Sequence, residues 1–433
     1  MFGYYLDLAM RSLKRNKVLT ALMILCVGLG IGASMTMLTV LHVMSGDPLP
    51  GRSGVLYYPH LDPWAAPHGR SADPHASDNL TLPDAMNLLH ARRAPLQSAM
   101  SGAAASFRST VPDAQPLLES GHYVTADFFP MFGVPFHAGS GWTRADDEQR
   151  ARVVVLGNAL NRKLFGDSVS IGKTVLLGGT EFRVIGVLDS WHPQPLFYAD
   201  VDGRAFGKPD GFFLPLQTAL DLKMNFNGHL SCRGDGNDDR TSASCTWLQF
   251  WVKLDSPNQV AAYARFLADY WREQQAHGRF PQPVNPKLYR LMDWLAYKNV
   301  VPSDVRLQLW LALGFLGVCM VDIVGLLLAK FLRRSDEISV RRALGAQRRH
   351  VFLQFGVEAA VIGVAGGLLG LLLAEVGLWS VRQRPDGYAQ LASMDVPMLL
   401  GTFLLAILAS VLAGLLPAWR ACRIAPAIQL KAQ

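Results

Sequence analysis

The run from Leu307 to Leu332 constrains this chain more than any other stretch, because it is apolar apart from Gln308, Asp322 and Lys330. Roughly 20 apolar residues cross a bilayer core of about 30 Å, so the run reads as a membrane helix. Arg333-Arg334-Ser335-Asp336-Glu337-Ile338 follows directly, and six arginines against two acids lie between Arg333 and Arg349. Short Lys/Arg-rich loops stay on the cytoplasmic side. A basic helix between two spans suggests a part that receives something from a cytoplasmic partner. The plainer reading is that these arginines only set topology.

Three further runs qualify as spans: Val18 to Val43, about Phe355 to Val381, and Val396 to Trp419. Their flanks agree on one orientation. Arg11, Lys14, Arg15 and Lys17 precede the first run, Lys330 to Arg349 separate the second and third, and Arg420, Arg423 and Lys431 follow the fourth. If all four runs span, every basic cluster falls on one side. Both termini are then cytoplasmic and residues 46–305 lie outside. The first run has a basic start like a signal peptide, but its apolar part exceeds the usual 7–15 residues and no small-residue cleavage site follows, so it is expected to be retained. Half of the 433 residues are hydrophobic and 17% are charged, too polar for a protein that is membrane throughout. The net charge of +7 sits beside the apolar runs, which argues for topology rather than nucleic-acid binding.

Residues 1–17 read as a short amphipathic helix at the membrane surface. Gly28, Gly30 and Gly32 in the first span include one Gly-x-x-x-Gly pair, which either permits close helix approach or reflects the abundance of glycine in membrane helices. Residues 46 to about 79 read as a loop. His60, His68 and His75 lie there without metal-ligand spacing, and no metal or other cofactor is expected in this chain. Thr81 and Pro83 then open a helix that runs to about Arg92.

The external region alternates short strands and helices. Weak alternation over about 97–125 suggests strands, Arg152 to Leu156 a buried strand, and Asn158 to Phe165 a helix closed by Gly166. Gly178-Gly179 between two apolar runs signals a two-residue hairpin. Residues 211–222 read as a strand and short helix, Trp247 to Leu254 as a strand, and Ser256, Pro257 and Gln259 as the capped start of a helix reaching about His277. This makes the region mixed α/β and large enough for its own core.

Few side chains point to chemistry. Gly172-Lys173-Thr174 resembles the end of a phosphate-binding loop, but Gly166 lies one residue too far upstream and a strand follows, so it is no P-loop. No paired carboxylates, nucleophile elbow or Cys/His couple appears, and no enzymatic activity is expected of this chain. Cys232 and Cys245 close so short a loop outside the membrane that a disulfide is expected, worth roughly 3 kcal/mol by loop entropy. Asp235, Asp238 and Asp239 lack the closing Glu of a calcium loop. Asp322 lies deep in the second span, where a carboxylate costs about 2.5–3.5 kcal/mol. It is either a gating residue or, as favoured, one partner of an interhelical hydrogen bond. Glu358 and Glu375, nearer the ends of the third span, are expected to snorkel.

These pieces resemble the permease part of MacB/FtsX-type (type VII) ABC transporters over nearly the whole chain. The resemblance rests on Ser12-Leu13-Lys14-Arg15-Asn16-Lys17, Tyr123-Val124-Thr125-Ala126-Asp127-Phe128-Phe129, Phe165-Gly166-Asp167, Ile171-Gly172-Lys173 and Phe182-Arg183-Val184-Ile185-Gly186-Val187. Glu337-Ile338 with Arg341-Arg342-Ala343-Leu344-Gly345-Ala346, and Pro417-Ala418-Trp419-Arg420-Ala421 with Pro426, complete it. It implies an α-helical membrane domain of four transmembrane helices with a large mixed α/β periplasmic domain inserted between helices 1 and 2. The segments would be 1–45 (amphipathic helix and first span), 46–305 (periplasmic core, with an inserted lobe at roughly 118–210) and 306–433 (the FtsX-like part).

The resemblance also implies a bacterial inner-membrane permease dimer, of like or unlike copies, bound to cytoplasmic ABC ATPase subunits that hold ATP and Mg. MacB carries its ATPase fused at the N-terminus, whereas this chain starts at the permease, so a separate ATPase chain is expected. Glu337, Arg341, Arg342, Leu344 and Gly345 would couple to it, and ATP-driven closure would drive the external domain by mechanotransmission. Efflux with a periplasmic adaptor and an outer-membrane channel is the favoured use. Lipoprotein extraction and an FtsX-like scaffold that regulates a periplasmic enzyme are the alternatives.

Overall fold

The structure, a computed structural model, describes residues 2–61, 78–108, 116–166, 170–199, 205–232, 239–280, 286–333, 347–383, 393–394 and 396–423. The chain forms two compact units, one of Met1–Ser45 with Val301–Gln433 and one of Gly46–Val300.

In the first unit, α1 (Phe2–Arg15) is followed after one residue by α2 (Lys17–Ser45). The remaining helices of this unit are named below from the far end of the other unit. Gly46–Val300 begins with β1 (Leu56–His60), β2 (Leu80–Thr81), α3 (Leu82–Ala91), β3 (Leu96–Arg108), β4 (Leu117–Val124) and α4 (Phe128–Phe132). It continues with β5 (Phe136–Gly139), α5 (Arg144–Glu148), β6 (Val153–Leu156), α6 (Asn158–Phe165), β7 (Thr174–Leu177), β8 (Thr180–Leu188), β9 (Phe212–Pro215) and α7 (Leu216–Asp221). The two-residue strands β10 (Phe226–Asn227) and β11 (Ser231–Cys232) precede β12 (Cys245–Lys253), α8 (Pro257–Ala276), β13 (Lys287–Arg290) and α9 (Leu291–Tyr297). The membrane unit then resumes with α10 (Ser303–Leu332), α11 (Arg348–Arg382) and α12 (Val396–Arg423).

α2, α10, α11 and α12 are the four described helices long and apolar enough to cross a membrane, and they coincide with the four runs read from the sequence.

The described strands form one mixed sheet in the order β13-β1-β12-β3-β4-β9-β6-β8-β5. β4 with β9 and β6 with β8 are parallel; the other pairs are antiparallel. The long β3 also pairs with β7 and β10. Helices cover both faces, which is why β12 is buried almost throughout instead of alternating with polar residues. Its side chains divide by the strand period of two. Phe250 and Val252 join a core with Leu88 of α3 and Tyr263, Leu267 and Trp271 of α8. Trp251 joins the opposite core with Phe128 and Phe132 of α4 and Trp294 of α9.

Local signals explain the elements. Thr81 accepts a hydrogen bond from the Asp84 N–H at the start of α3, and Ser256 does the same for Gln259 at α8. Gly178 and Gly179 have φ of +57° and +89° and join β7 to β8, the left-handed pair that a tight hairpin requires. One expectation fails: residues 56–60 form a strand where a loop was expected. β1 contains Pro59, which cannot donate to a ladder, yet β12 and β13 flank it and all five residues are buried. Tertiary pairing overrides the local signal here.

Candidate functional site

The expected coupling residues Glu337, Arg341, Arg342, Leu344 and Gly345 lie outside the described residues. The two helices that lead into and out of their segment are described, and they are joined. Lys330, near the end of α10, pairs through its Nζ with Glu358 of α11, and neither side chain has exposed surface. Ser12 of α1 donates its hydroxyl to the same carboxylate at 2.7 Å. Three helices thus meet on one buried charge. Glu358 does not snorkel, as the sequence reading expected, because a cation on the neighbouring helix meets it inside the protein. Glu375 is exposed and pairs with Arg382. The signal that would have located the inner pair is a lone cation, Lys330, in the second apolar run and acids in the third.

Close backbone approach holds α2 against α11. A Cβ placed on Gly366 would lie 2.5 Å from the Val27 Cβ, and one on Gly32 would lie 2.8 Å from the Leu373 Cβ, so a side chain at either position must push the helices apart. Hydroxyls add interhelical bonds: Ser34 donates to the Ala312 carbonyl of α10 at 3.2 Å, and Thr36 to the Ala374 carbonyl of α11 at 3.4 Å. α10 buries Cys319, Ile323 and Leu327 and leaves its opposite side open. Leu311, Val318 and Val321 are exposed along it, and Asp322 is exposed on the same side.

In the extramembrane unit, the strands where the chain enters and leaves are neighbours: Tyr57 registers with Arg290 and His60 with Lys287. A second buried charge cluster fastens them. Lys298 donates to Asp78 Oδ2 at 2.8 Å, His60 Nε2 lies 3.0 Å from Oδ1, and the Tyr297 hydroxyl donates to Oδ1 at 3.2 Å. The Tyr58 ring stacks on Trp294 at 3.7 Å, and the Lys298 ammonium lies over the same indole. Burial pushes the Asp78 carboxyl up, but the bonds and charge from His60 and Lys298 outweigh it and hold it below the ordinary value. His60 therefore sits beside Asp78 in a buried polar cluster, and no group of three or more metal-ligating side chains occurs among the described residues. His68 and His75 lie outside those residues.

Cys232 of β11 and Cys245 of β12 are directly opposed and disulfide-bonded. Asp235 and Asp238 lie outside the described residues; Asp239 accepts from the Thr241 N–H and hydroxyl at 2.9 and 2.7 Å. Lys173 lies over the Phe165 ring, and β7 begins at the next residue, which leaves no helix N-terminus for a phosphate.

Comparison with known proteins accords with this architecture. Two domain families match in tandem: the MacB-like periplasmic core domain over residues 20–269 and the FtsX-like permease C-terminal domain over residues 309–426. The pyoverdine export ATP-binding/permease protein PvdT of Pseudomonas syringae pv. tomato is 27% identical over 70% of this chain and 42% of its own length. The macrolide export ATP-binding/permease protein MacB of Rhodospirillum rubrum is 27% identical over 100% of this chain and 61% of its own. The chain thus spans roughly half the length of these two relatives. The crystal structure of the periplasmic region of MacB from Actinobacillus actinomycetemcomitans aligns at 16% identity with a TM-score of 0.37, over 58% of this chain and 98% of that one. With its tandem domains and four spans in the expected order, the chain belongs to the MacB-like periplasmic core domain family and is a MacB/FtsX-type ABC transporter permease.

Proposed function

We propose that this permease works by mechanotransmission, with ATP hydrolysis in ABC ATPase domains outside this sequence moving the membrane helices and, through them, the periplasmic-type domain. ATP and Mg reside in those domains. The use most in keeping with the relatives named above is export from the periplasm, with a second permease copy alongside and an adaptor and outer-membrane channel as further partners. The proposed orientation is the one given by the basic clusters, with both termini in the cytoplasm.

The observation that carries this reading is the joining of the moving parts. Lys330 and Glu358 tie together the helices that flank the basic segment 334–346, and β1 pairs with β13 where the chain enters and leaves the other unit. A displacement of the basic segment would be passed to α10 and α11 together. The two connections to the extramembrane unit would then act at one place.

The test is co-expression with candidate ABC ATPase subunits and purification in nanodiscs. The intact chain should retain one ATPase and stimulate its hydrolysis; Glu337→Ala, Arg341→Ala and Arg342→Ala should each weaken the complex or uncouple hydrolysis. If no ATPase is retained, or if all three variants behave as the parent does, the coupling assignment fails.

A further inference from the structure

A cleft of about 420 Å³ opens in the extramembrane unit between α3, the start of β3, the turn after β4, and α5. Met86 and Leu89 of α3 form an apolar wall, and both are half-buried. The floor is different in kind, because its buried groups are acceptors.

Gln97 is 5% exposed. Its Nε2 donates to the Leu88 and Leu89 carbonyls at 3.1 and 2.5 Å, which fixes the orientation of the amide. Its Oε1 is buried with no hydrogen-bond partner. A buried acceptor without a donor forfeits its solvation, so a donor that reaches it would recover the loss.

Asp147 is 9% exposed and lines the same cleft. The Ala126 N–H donates to its Oδ2 at 2.7 Å and the Trp142 Nε1–H to its Oδ1 at 2.9 Å. Both donors are neutral, and no cation among the described residues forms an ion pair with it. The arginines around the cleft are committed elsewhere. Arg144 makes a two-pronged pair with Asp127, Arg92 reaches Glu148 at 3.5 Å, and Arg150 pairs with Asp221. His90 lines the α3 side and is exposed. An acidic group that is hydrogen-bonded but not ion-paired, beside a buried acceptor that lacks a donor and an apolar wall, is complementary to a cation with N–H donors.

We propose that this cleft binds a small apolar molecule carrying a protonated amine, with Asp147 as its counter-ion and the Gln97 carboxamide oxygen as its second acceptor. On the export reading above, the cleft selects cargo. Binding needs neither ATP nor an ATPase, so a failure here leaves that reading standing, and the reverse also holds.

The charge state of Asp147 gives the site a signature. Burial pushes its carboxyl up to about 7, against the pull of the Ala126 and Trp142 bonds, with Asp127 and Asp146 adding to the rise. An ammonium needs the ionised form, so affinity should rise from pH 6 to pH 8. His90 also lines the cleft, on its α3 side, and the Asp147→Asn variant isolates the contribution of the carboxyl.

The experiment is ¹⁹F line broadening of 4-fluorobenzylamine on the full chain in zwitterionic nanodiscs, with empty nanodiscs subtracted. 4-Fluorobenzyl alcohol and 4-fluorobenzoate serve as neutral and anionic controls. The amine alone should bind, several-fold more tightly at pH 8 than at pH 6. Asp147→Asn should weaken it at least tenfold at pH 8 and remove its pH dependence. Met86→Trp, which fills the cleft without touching the floor, should weaken it comparably while Asp147 is intact. Binding of the benzoate in place of the amine, equal binding by parent and Asp147→Asn, or no binding at millimolar amine would each overturn the proposal.

Discussion

Lys330 and Glu358 form an ion pair from which water is excluded on both sides, yet they lie on separate helices that flank one basic segment. Burying two charges costs several kcal/mol for each, and their attraction repays this only while both are present. Removing either one strands the other. Glu358→Met and Lys330→Met should therefore each destabilise the membrane unit by about 3–5 kcal/mol. The double variant Lys330→Met/Glu358→Met should recover much of that loss, since apolar residues often replace a buried pair at little cost. Denaturation midpoints in detergent for the four proteins of this cycle give the coupling energy. Additive losses would mean that the pair has no such coupling.

The Asp78 cluster obeys the same rule in the other unit. Lys298→Met takes the ammonium away from the buried Asp78 carboxylate, which also faces His60, and a loss of about 3–5 kcal/mol is expected. Hydrogen exchange should quicken in β1 and β13 before it does in β6 or β8, because the cluster fastens the former pair. Since the Asp78 carboxyl is held below its ordinary value, its contribution to stability is present above that value and is lost as pH falls through the lowered one. Uniform acceleration across the sheet would contradict a local fastening role.

Asp147 has the opposite sign. Its carboxyl, pushed up to about 7 by burial, keeps a proton in the folded state that the unfolded chain releases near pH 4. Between about pH 4 and 7 the folded state binds more protons, so stability falls as pH rises through this window. Asp147→Asn should flatten that part of the profile. Thermal midpoints of parent and variant at pH 5 and pH 8 check it, and the parent should show the larger drop.

Much of this architecture was legible in the sequence. The four spans announce themselves because a bilayer demands an uninterrupted apolar length, and Thr81, Ser256 and Gly178-Gly179 act within a few residues of their own positions. The buried charge clusters were not legible, because each joins distant parts of the chain. Asp78 meets Lys298 across a separation of 220 residues, and Ser12 meets Glu358 across 346. Read alone, Glu358 is a charge near a helix end that snorkels, and His60 is a loop histidine. Only pairing of β1 with β12 and β13 turns the latter into part of a buried cluster. The coupling residues themselves, Glu337 to Gly345, rest on the family resemblance alone.

The Cys232–Cys245 bond closes a loop with a sequence separation of 13. Loop entropy gives such a bond roughly 3 kcal/mol. The two-residue β11 pairs with β12 at the disulfide itself and has little other means of holding its place. Cys232→Ser/Cys245→Ser should lower the unfolding midpoint of the extramembrane unit and expose β11 and residues 239–244 to protease. The four spans should be unaffected. Equal protease sensitivity in parent and variant would assign the ordering of this hairpin to other contacts.

Packing in the membrane unit makes a prediction that separates two classes of glycine. Gly366 and Gly32 sit where an added Cβ would lie 2.5 and 2.8 Å from Cβ atoms of the facing helix, whereas Gly314 and Gly317 on α10 have nothing within 4 Å. Gly366→Leu and Gly32→Leu must therefore separate α2 from α11, at a cost of at least 1–3 kcal/mol for overpacking. Gly314→Leu and Gly317→Leu should leave the fold of a single copy unchanged, or stabilise it slightly by raising helix propensity by up to about 1 kcal/mol. Thermal unfolding of the four variants in detergent, at a protein concentration low enough to keep single copies apart, reads the difference. Equal losses in both classes would mean that the close approach of α2 and α11 is not what these glycines serve.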